Sequence, residues 1–475
     1  MTVQPDSALQ ALALAAMSHL PYDPNEQQLM VLAAICRFIE MPWENQDRLF
    51  LLAGYAGTGK TSLVGGIVKA LASQGRNVVL MAPTGRAAKV FSHSAGRRAF
   101  TIHRYIYRGG TVTNPGMVLA ENRQVNTLFI VDEASMIGDS AEGLSSSSLL
   151  ADLIHYVYSS QGCRLLLMGD DAQLPPVGLD LSPAMKPEVL RGFGLKVSRA
   201  QLTMTARQQL RSGILWNATR LRRLMQQPQL PAPQLRVHGF ADVRTVEGTE
   251  LADCIAADYA ADGVDNTIVI TRINARATRF NLAIRSLINL SEEELVRADR
   301  LMVAKNNYFV CRGIQGIDFI ANGDMAVVNS IHSTEMRHGL RFADVTLTMP
   351  DSDLTLDAKI ILDSLVTDHP SLDQPTEERL RASVVAEATG GKPVSASEAA
   401  KILRADPYYN ALRVKYAYAV TCHKAQGGQW TNVYIDLGYM PPEQQELEFY
   451  RWLYTAVTRS TTRLNLVNPP DEFLF

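Results

Sequence analysis

The sequence predicts an α/β protein with two doubly wound parallel-sheet domains, the second of which carries a small β-rich insertion. Short apolar runs alternate with longer helical stretches in the first part of the chain, and the same pattern restarts near residue 267. Apolar runs bounded by Gly, Pro or Asp are typical of strands buried on both faces of a parallel sheet. The length of 475 residues fits this organisation, because domains usually hold roughly 100–200 residues.

The predicted strands share short length, strong hydrophobicity and a polar or turn-forming residue at or after their ends. In the first domain they are Phe50–Ala53, Val78–Ala82, Leu128–Val131 and Leu165–Met168. In the second domain they are Thr267–Ile270, Tyr416–Val420, Val433–Asp436 and Leu464–Val467. An N-terminal helix over Ala8–Met17, capped by Asp6 or Ser7, precedes the first of them.

The alternation is interrupted between the first and second strands of the second domain. Residues 301–407 hold short strand-like pieces (LMVAKN, MAVVNSI, FADVTLTM and AKIILD), a turn signal at Asn322-Gly323-Asp324 and a polar, poorly patterned stretch over 367–397. We therefore predict a first domain over 1–205, a second over 206–300 and 408–475, and a β-rich insertion over 301–407.

The charge distribution indicates a polyanion site in the first domain. The net charge is only −2, but no Asp or Glu occurs between Arg48 and Ala120, a stretch that holds ten Lys and Arg residues. By contrast, Asp351 to Glu378 carries eight acids and one Lys. A local basic channel suffices to bind nucleic acid, so the near-neutral total does not argue against it. The alternative is a chance excess of solvated arginine.

Cysteine usage and hydropathy argue against several other classes of protein. The five cysteines are scattered and form no C-x-x-C pair, which disfavours zinc ribbons and disulfide frameworks and fits a cytoplasmic chain. Ala8–Met17 lacks the basic flank of a signal peptide, and no apolar run is long enough to cross a bilayer.

A phosphate-binding motif lies between the first strand and the helix that follows it. Gly54 to Thr61 (GYAGTGKT) matches G-x-x-x-x-G-K-[ST] in the strand–loop–helix context that the motif requires. Backbone N–H groups around Gly57, Thr58 and Gly59 are expected to surround a phosphate at a helix N-terminus. Lys60 would reach the β- and γ-phosphates, and Thr61 would ligate Mg²⁺.

Two carboxylates and an amide follow the next strands. Asp132 would hold Mg²⁺ and Glu133 would activate the attacking water, although two acids at a strand end also cap helices. Gln173, in the segment GDDAQLPP after the strand Leu165–Met168, is a candidate γ-phosphate contact; the alternative is a purely turn-forming segment.

In this order, the three motifs resemble those of superfamily 1 helicases, and so do six further segments. Two of them are similar to the family's Gln motif and motif Ia, namely PNEQ at 24–27 and APTGRAAK at 82–89. The segment TIH at 101–103 resembles the following DNA-contact motif. The last three resemble motifs IV, V and VI, namely LTMTARQ at 202–208, TCHKAQG at 421–427 and YTAVTR at 454–459. The APTGRAAK wording and the β-rich insertion before TCHKAQG are similar to the RecD-like and Dda-like enzymes of the 5′-to-3′ subgroup.

The resemblance implies two RecA-like domains that sandwich ATP, with an SH3-like insertion. It implies that Gln27 contacts adenine and that Arg207 and Arg459 approach the transferring phosphoryl group. Single-stranded DNA would contact residues on both domains, namely Pro83, Thr84, His103, Thr421 and His423. A strand-separating hairpin is expected within 104–125, with Tyr105–Thr111 as one arm and turn; an ordinary surface loop is the alternative.

The sequence therefore predicts an ATP- and Mg²⁺-dependent DNA helicase. The expected nucleic-acid partners are single-stranded DNA and single-strand/duplex junctions, and the expected protein partners are single-strand-binding, replication or repair proteins. The chain is expected to be a monomer with no membrane contact. If it is bacterial, it is expected to be nucleoid-associated. Two alternatives remain open: a translocase that strips proteins from DNA without unwinding it, and a non-catalytic binding module with a relic nucleotide site. Intact Lys60, Asp132, Glu133 and Arg459 argue against the second.

Overall fold

Two parallel sheets and a small closed barrel organise the chain. The computed structural model describes residues 5–42, 47–108, 118–139, 148–204, 212–289, 293–312, 314, 319–351, 354–441 and 444–475. Among these residues, none of the helices is long and apolar enough to span a membrane.

The first domain is a six-stranded parallel sheet with helices on both faces. Its elements are α1 (Pro5–Ser18), α2 (Glu26–Glu40), β1 (Arg48–Gly54), α3 (Lys60–Ser73), β2 (Val78–Ala82), α4 (Gly85–Ala95), β3 (Ala99–Thr101), α5 (Ile102–Ile106), β4 (Tyr107–Arg108), β5 (Val118–Leu119), β6 (Leu128–Val131), α6 (Leu149–Tyr158), β7 (Arg164–Gly169), α7 (Pro187–Gly192) and β8 (Lys196–Leu202). The strand order is β3-β2-β6-β7-β1-β8, and every pair is parallel. Apolar residues of α1, α2 and α3 fill one face, and those of α5 and α6 fill the other.

The second domain repeats this plan with five parallel strands. Its first elements are α8 (Gly213–Leu224), β9 (Val243–Val246), α9 (Leu251–Asp262), β10 (Thr267–Thr271) and α10 (Asn274–Asn289). After the insertion come β16 (Ala419–Thr421), β17 (Trp430–Asp436), α15 (Leu447–Val457) and β18 (Ser460–Val467). The sheet has the strand order β16-β10-β17-β18-β9. Helices α8 and α15 pack on one face and α9 and α10 on the other. We refer to the two sheet domains as motor domains 1 and 2.

The insertion is a closed five-stranded barrel. Its elements are β11 (Arg300–Val303), β12 (Met325–Arg337), β13 (Leu340–Met349), β14 (Leu354–Ile361), α11 (Asp363–Val366), α12 (Gln374–Thr389), α13 (Ala396–Ala405) and β15 (Leu412–Tyr416). The chain then returns to motor domain 2 through β16 (Ala419–Thr421), α14 (Cys422–Ala425), β17 (Trp430–Asp436), α15 (Leu447–Val457) and β18 (Ser460–Val467). The predicted α/β class with a β-rich insertion is confirmed.

The structure refines the predicted organisation in three places. The strand predicted over Tyr416–Val420 is two strands, because β15 ends at Tyr416 in the barrel while β16 joins the sheet of motor domain 2. The barrel therefore extends beyond residue 407, the predicted end of the insertion. The polar stretch over 367–397 contains α12, whose Leu380 and Val384 pack on the barrel, and the start of α13.

A short antiparallel sheet lies within the predicted hairpin region. Strands β4 and β5 form a two-stranded antiparallel sheet, with Tyr107 opposite Leu119. Tyr105 lies in α5 rather than in an arm, and its ring packs on Phe129 and Tyr156. Residues 109–117, which include the predicted turn, lie outside the described part of the chain.

Candidate nucleotide and nucleic-acid sites

The phosphate loop joins β1 to α3 and exposes the N-terminus of that helix. Gly57 and Gly59 have φ angles of +72° and +85°, which side chains rarely tolerate, so glycine is needed at both positions. The Lys60 ammonium donates to the carbonyls of Gly54 and Tyr55, the latter at 3.2 Å. The loop therefore presents a helix N-terminus and a lysine folded back onto its own rim, an arrangement suited to a polyphosphate.

Carboxylates from the end of β6 face this helix. The Thr61 hydroxyl donates to Asp132 Oδ2 at 3.3 Å, and the Glu133 N–H donates to Asp132 Oδ1 at 2.8 Å. Burial and the neighbouring Glu133 raise the pKa of Asp132 to about 7, and Lys60 opposes that shift. A hydroxyl beside a carboxylate is the oxygen donor set that Mg²⁺ prefers, so Thr61 and Asp132 fit the metal that accompanies a nucleotide.

Gln173 lies in a buried loop after β7. Its Oε1 atom is buried and accepts no hydrogen bond from the described residues. Leaving a buried acceptor unpaired costs roughly 1–3 kcal/mol, so this oxygen is suited to accept a hydrogen bond from a bound group. The loop is fixed at its start by Asp170, whose Oδ1 accepts the Ala172 N–H at 3.0 Å.

The two neighbouring glutamines of the Gln motif have different surroundings. Gln28 is buried, caps α2 with Asn25 and donates to the Thr58 carbonyl at 2.9 Å, so it braces the phosphate loop. The Gln27 amide instead joins the end of β8, accepting from the N–H groups of Thr203 and Met204 at 2.9 Å each. The bracing role of Gln28 was missed by sequence reasoning.

The two predicted arginines are placed differently. Arg207 lies in 205–211, outside the described part of the chain. The Arg459 guanidinium is buried and donates to the Thr455 carbonyl, the Gly428 carbonyl and the Thr458 hydroxyl, all within motor domain 2. Motor domain 2 also places the Arg222 guanidinium 4.0 Å from the centre of the Tyr55 ring in the phosphate loop, a contact that the sequence did not predict.

A cavity of about 830 Å³ opens between the two motor domains and the barrel. We refer to it as the strand cavity. Four of the five predicted DNA-contact residues line it, namely Pro83, Thr84, His103 and His423. The fifth, Thr421, is buried at the start of α14 and does not line it.

The strand cavity combines neutral imidazoles with two lysines. Burial lowers the pKa of His103 to about 4 and also lowers that of His423, so both rings are uncharged near neutral pH. Lys424 donates to Asn322 of the barrel, and burial lowers its pKa to about 8. Lys305 also lines the cavity and pairs with Glu377 at 2.9 Å. Positive charge here comes from these two lysines and from Arg86, which also lines the cavity, rather than from the histidines.

Aromatic side chains of the barrel approach motor domain 1 in the same cavity. The Phe319 ring stacks on Tyr308 with 5.3 Å between centroids and meets the His103 ring edge-on at 5.8 Å. The rings of Phe100 and Tyr105 in motor domain 1 instead pack on each other at 5.4 Å, and neither lines the strand cavity. The sequence signal for the barrel residues was limited to the turn at Asn322-Gly323-Asp324, which forms part of the cavity wall.

The two motor domains contact each other directly at the wall of the strand cavity. The Arg86 guanidinium lies 3.9 Å above the Trp430 ring, and both residues line the cavity. Gly427 approaches so closely that an added Cβ would lie 2.8 Å from the Ala87 Cβ. Motif Ia, at Ala87, and motif V, at Gly427, are therefore in contact without an intervening side chain at residue 427.

Two family models match this chain. Residues 26–184 match the AAA domain, and residues 416–467 match the UvrD-like helicase C-terminal domain. The first match covers the phosphate loop, Asp132, Glu133 and Gln173, and the second covers motifs V and VI. Together they confirm the resemblance to superfamily 1 helicases.

Parts of the chain are also similar to curated helicases. The ATP-dependent RecD2 DNA helicase of Deinococcus radiodurans is 37% identical over 134 residues, which is 28% of this chain and 17% of that protein. The ATP-dependent DNA helicase dda of Enterobacteria phage T4 is 35% identical over 130 residues, 26% of this chain and 27% of that protein. The matched segments thus span less than a third of either relative. A crystal structure of Pif1 helicase from Bacteroides in complex with ADP-AlF3 and ssDNA aligns with a TM-score of 0.48 and 16% identity, over 96% of this chain and 95% of that one.

Proposed function

We propose that this superfamily 1 protein is an ATP-dependent DNA helicase that moves 5′ to 3′ along single-stranded DNA and unwinds the duplex ahead of it. The observation that carries the proposal is the strand cavity. Pro83, Thr84 and His103 from motor domain 1 meet His423 from motor domain 2 in one space, beneath a barrel that supplies aromatic rings. Backbone-directed contacts from two domains that also share a nucleotide site are what stepping along a strand requires.

ATP binds in this proposal at the cleft between the motor domains. The loop N–H groups around Gly57, Thr58 and Gly59 surround the phosphates, and Lys60 leaves the loop carbonyls to neutralise the terminal phosphates. Gln27, in the first turn of α2, contacts the chain just after β8, where the base of the nucleotide is expected. Glu133 orients and deprotonates the attacking water, and the unpaired Gln173 oxygen accepts a hydrogen bond from that water.

Thr61 and Asp132 would hold Mg²⁺, which would supply positive charge against the phosphate oxygens. Arg459 supplies further charge from motor domain 2, and the resemblance to the family assigns the same role to Arg207, which lies outside the described residues. An arginine that enters across an interface is worth roughly 10³–10⁵ in rate in phosphoryl-transfer enzymes. Because the hydrogen bonds of Arg459 to described residues all lie within motor domain 2, its approach to phosphate requires that side chain to change its partners, which ties hydrolysis to domain movement.

The strand cavity grips DNA without reading its sequence. The neutral His103 and His423 contribute hydrogen-bonding and stacking surface, while Lys305 and Lys424 offset phosphate charge. Phe319 and Tyr308 add stacking, worth roughly 1–3 kcal/mol per base. Because motor domain 2 and the barrel together face motor domain 1 across this space, a change in domain closure alters the grip on the strand.

Strand separation on tailed duplexes tests the proposal. A partial duplex with either a 5′ or a 3′ single-stranded tail is mixed with the chain, ATP and Mg²⁺, and ATP hydrolysis is followed in parallel with and without single-stranded DNA. We expect DNA-stimulated hydrolysis and unwinding of the 5′-tailed substrate only. Stimulated hydrolysis without unwinding of either substrate would favour the translocase alternative, and preference for the 3′ tail would overturn the polarity.

A further inference from the structure

The loop that carries Gln173 is held in place by motor domain 2. The Leu174 N–H donates to the Thr455 hydroxyl at 2.9 Å. The Leu174 carbonyl accepts from Gln426 Nε2 at 2.7 Å. One residue of this loop is therefore fixed on both its N–H and its carbonyl by side chains from across the cleft. Thr455 lies on α15, and Gln426 directly follows α14, whose residues His423 and Lys424 line the strand cavity.

Tyr454, next to Thr455 on α15, extends this contact to the phosphate loop itself. Its hydroxyl accepts the Ala56 N–H at 2.9 Å and donates to Asp170 Oδ2 at 2.7 Å. The side chain is 1% exposed. Burial and the Asp170 carboxylate raise the pKa of Tyr454 well above its ordinary value, so the hydroxyl keeps its proton and serves as acceptor and donor together.

We propose that Tyr454 is a positioning residue that couples the occupancy of the phosphate loop to the grip on the nucleic-acid strand. This inference rests on the proposed function and names the atom through which its two sites communicate. Ala56 belongs to the loop that surrounds the phosphates, and Asp170 begins the loop that carries Gln173. A shift of either loop therefore displaces the same hydroxyl, and α15 moves with it.

The chain contains two routes by which movement of α15 reaches functional groups. Arg459 follows the C-terminal end of α15 and is bonded to the Thr455 carbonyl on that helix. Gln426 is bonded to the same loop as Tyr454, through Leu174, and precedes the Gly427 contact with motor domain 1. The Tyr454 hydroxyl thus links the two nucleotide loops to Arg459 and to the strand cavity.

Tyr450 provides a matched control on the same helix. It lies one turn before Tyr454 and is also fully buried. Its hydroxyl donates to the Pro231 carbonyl within motor domain 2. Tyr450→Phe therefore deletes the same atom from the same helix, in an equally buried place, without removing a bond to motor domain 1.

The test compares Tyr454→Phe with Tyr450→Phe in the full chain. The readouts are kcat and KM for ATP with single-stranded DNA present, and the Kd for a labelled oligonucleotide with and without a non-hydrolysable ATP analogue and Mg²⁺. For Tyr454→Phe we expect the stimulated kcat to fall about tenfold, within the usual range of coupling between sites, while the KM for ATP moves less than about twofold. The change in Kd that the analogue causes is expected to shrink by a similar factor. Tyr450→Phe is expected to match the wild type in both readouts.

Asp170→Asn and the double variant with Tyr454→Phe make the test independent of a folding defect in one variant. If the two groups act through one hydrogen bond, the double variant loses no more coupling than Tyr454→Phe alone. Equal behaviour of Tyr454→Phe and Tyr450→Phe, in a wild type that DNA stimulates, would overturn this inference alone. A wild type whose hydrolysis ignores DNA would overturn the proposed function and the inference with it.

Discussion

The two faces of the cleft between the motor domains are built in different ways. On the nucleotide face, directional hydrogen bonds cross the cleft, from Ala56 N–H to the Tyr454 hydroxyl and from Leu174 N–H to the Thr455 hydroxyl. On the nucleic-acid face, the domains meet through the Arg86 guanidinium on the Trp430 ring and the bare backbone of Gly427.

The difference matches what each face has to do. Hydrogen bonds are lost over a few tenths of an ångström and over small angles, so the nucleotide face responds sharply to the presence of a phosphate. Cation–π and glycine contacts depend less on direction, so the other face can shift while the strand is held.

Removal of the phosphate-loop ammonium should have the largest effect. Lys60→Ala deletes the charge that we assign to the terminal phosphates, and we expect ATP hydrolysis to fall by about 10²–10³. Oligonucleotide binding without nucleotide should change little, because Lys60 does not line the strand cavity. Lys69→Ala, on the exposed side of the same helix, is the control measured in the same hydrolysis assay; equal loss in both variants would contradict the assignment.

Crowding of the domain contact at Gly427 should weaken strand binding next most. Gly427→Ala places a Cβ 2.8 Å from the Ala87 Cβ, which forces the strand faces of the domains apart. We expect oligonucleotide affinity to fall about tenfold, a typical size for coupling of this kind. The measurement is fluorescence anisotropy with a labelled single strand.

Gly438→Ala separates this crowding from backbone strain. Gly438 also has a positive φ, of +59°, but an added Cβ there meets nothing within 4 Å. Both alanines carry a left-handed backbone cost of roughly 1–2 kcal/mol, and thermal melting should show similar losses. If Gly438→Ala lowers oligonucleotide affinity as much as Gly427→Ala, the domain contact is not the cause.

The aromatic part of the strand cavity should contribute a smaller share of binding. Phe319→Ala removes a ring that stacks on Tyr308 and contacts His103, and we expect affinity for a single strand to fall about fivefold, the lower end of base stacking. Phe309→Ala is the control, because Phe309 contacts Arg312 and does not line the cavity. An unchanged affinity in Phe319→Ala would show that the barrel ring does not touch bases.

Titration of Lys424 should give the smallest effect. Burial lowers its pKa to about 8, so its positive charge is present at pH 7 and is lost as the pH rises through about 8. We therefore expect oligonucleotide affinity to weaken by about threefold between pH 7 and pH 9, somewhat less than the loss of one phosphate contact. Arginine keeps its charge over this range, so Lys424→Arg should give a flat profile, and a wild-type profile that is equally flat would refute the role of Lys424.

The nucleotide face was largely predictable from sequence because its parts are contiguous in the chain. A strand, a glycine-rich loop and a helix follow one another from Arg48 to Ser73, and local geometry alone positions Lys60 and Thr61. Asp132 was found by the same logic, since parallel strands end at one edge of a sheet and bring their following residues together. The strand β2 was predicted with its observed bounds for a related reason, namely burial on both faces.

The strand face was predictable only in part because residues from both motor domains and from the barrel build it. Phe319 and Lys305 come from the barrel, far in sequence from His103, and no local pattern marks them as neighbours. Thr421 shows the opposite case, since it belongs to a recognisable motif but is buried and does not line the cavity. From the sequence, Tyr454 was recognised only as the first residue of motif VI, because its two partners, Ala56 and Asp170, lie almost 400 and 300 residues away.

We propose that the two faces of the cleft are coupled, so that binding of a strand on one face changes ATP hydrolysis on the other. DNA-dependent ATP hydrolysis tests this coupling most directly. The rate of hydrolysis by the wild-type chain is measured at saturating ATP and Mg²⁺ while a single-stranded oligonucleotide is titrated in. The account predicts a rise of about tenfold or more, in keeping with a coupling free energy of 1–3 kcal/mol between sites, and a half-maximal oligonucleotide concentration that increases in Gly427→Ala. A rate that stays constant across the titration, with oligonucleotide binding shown in the same solution, would contradict it.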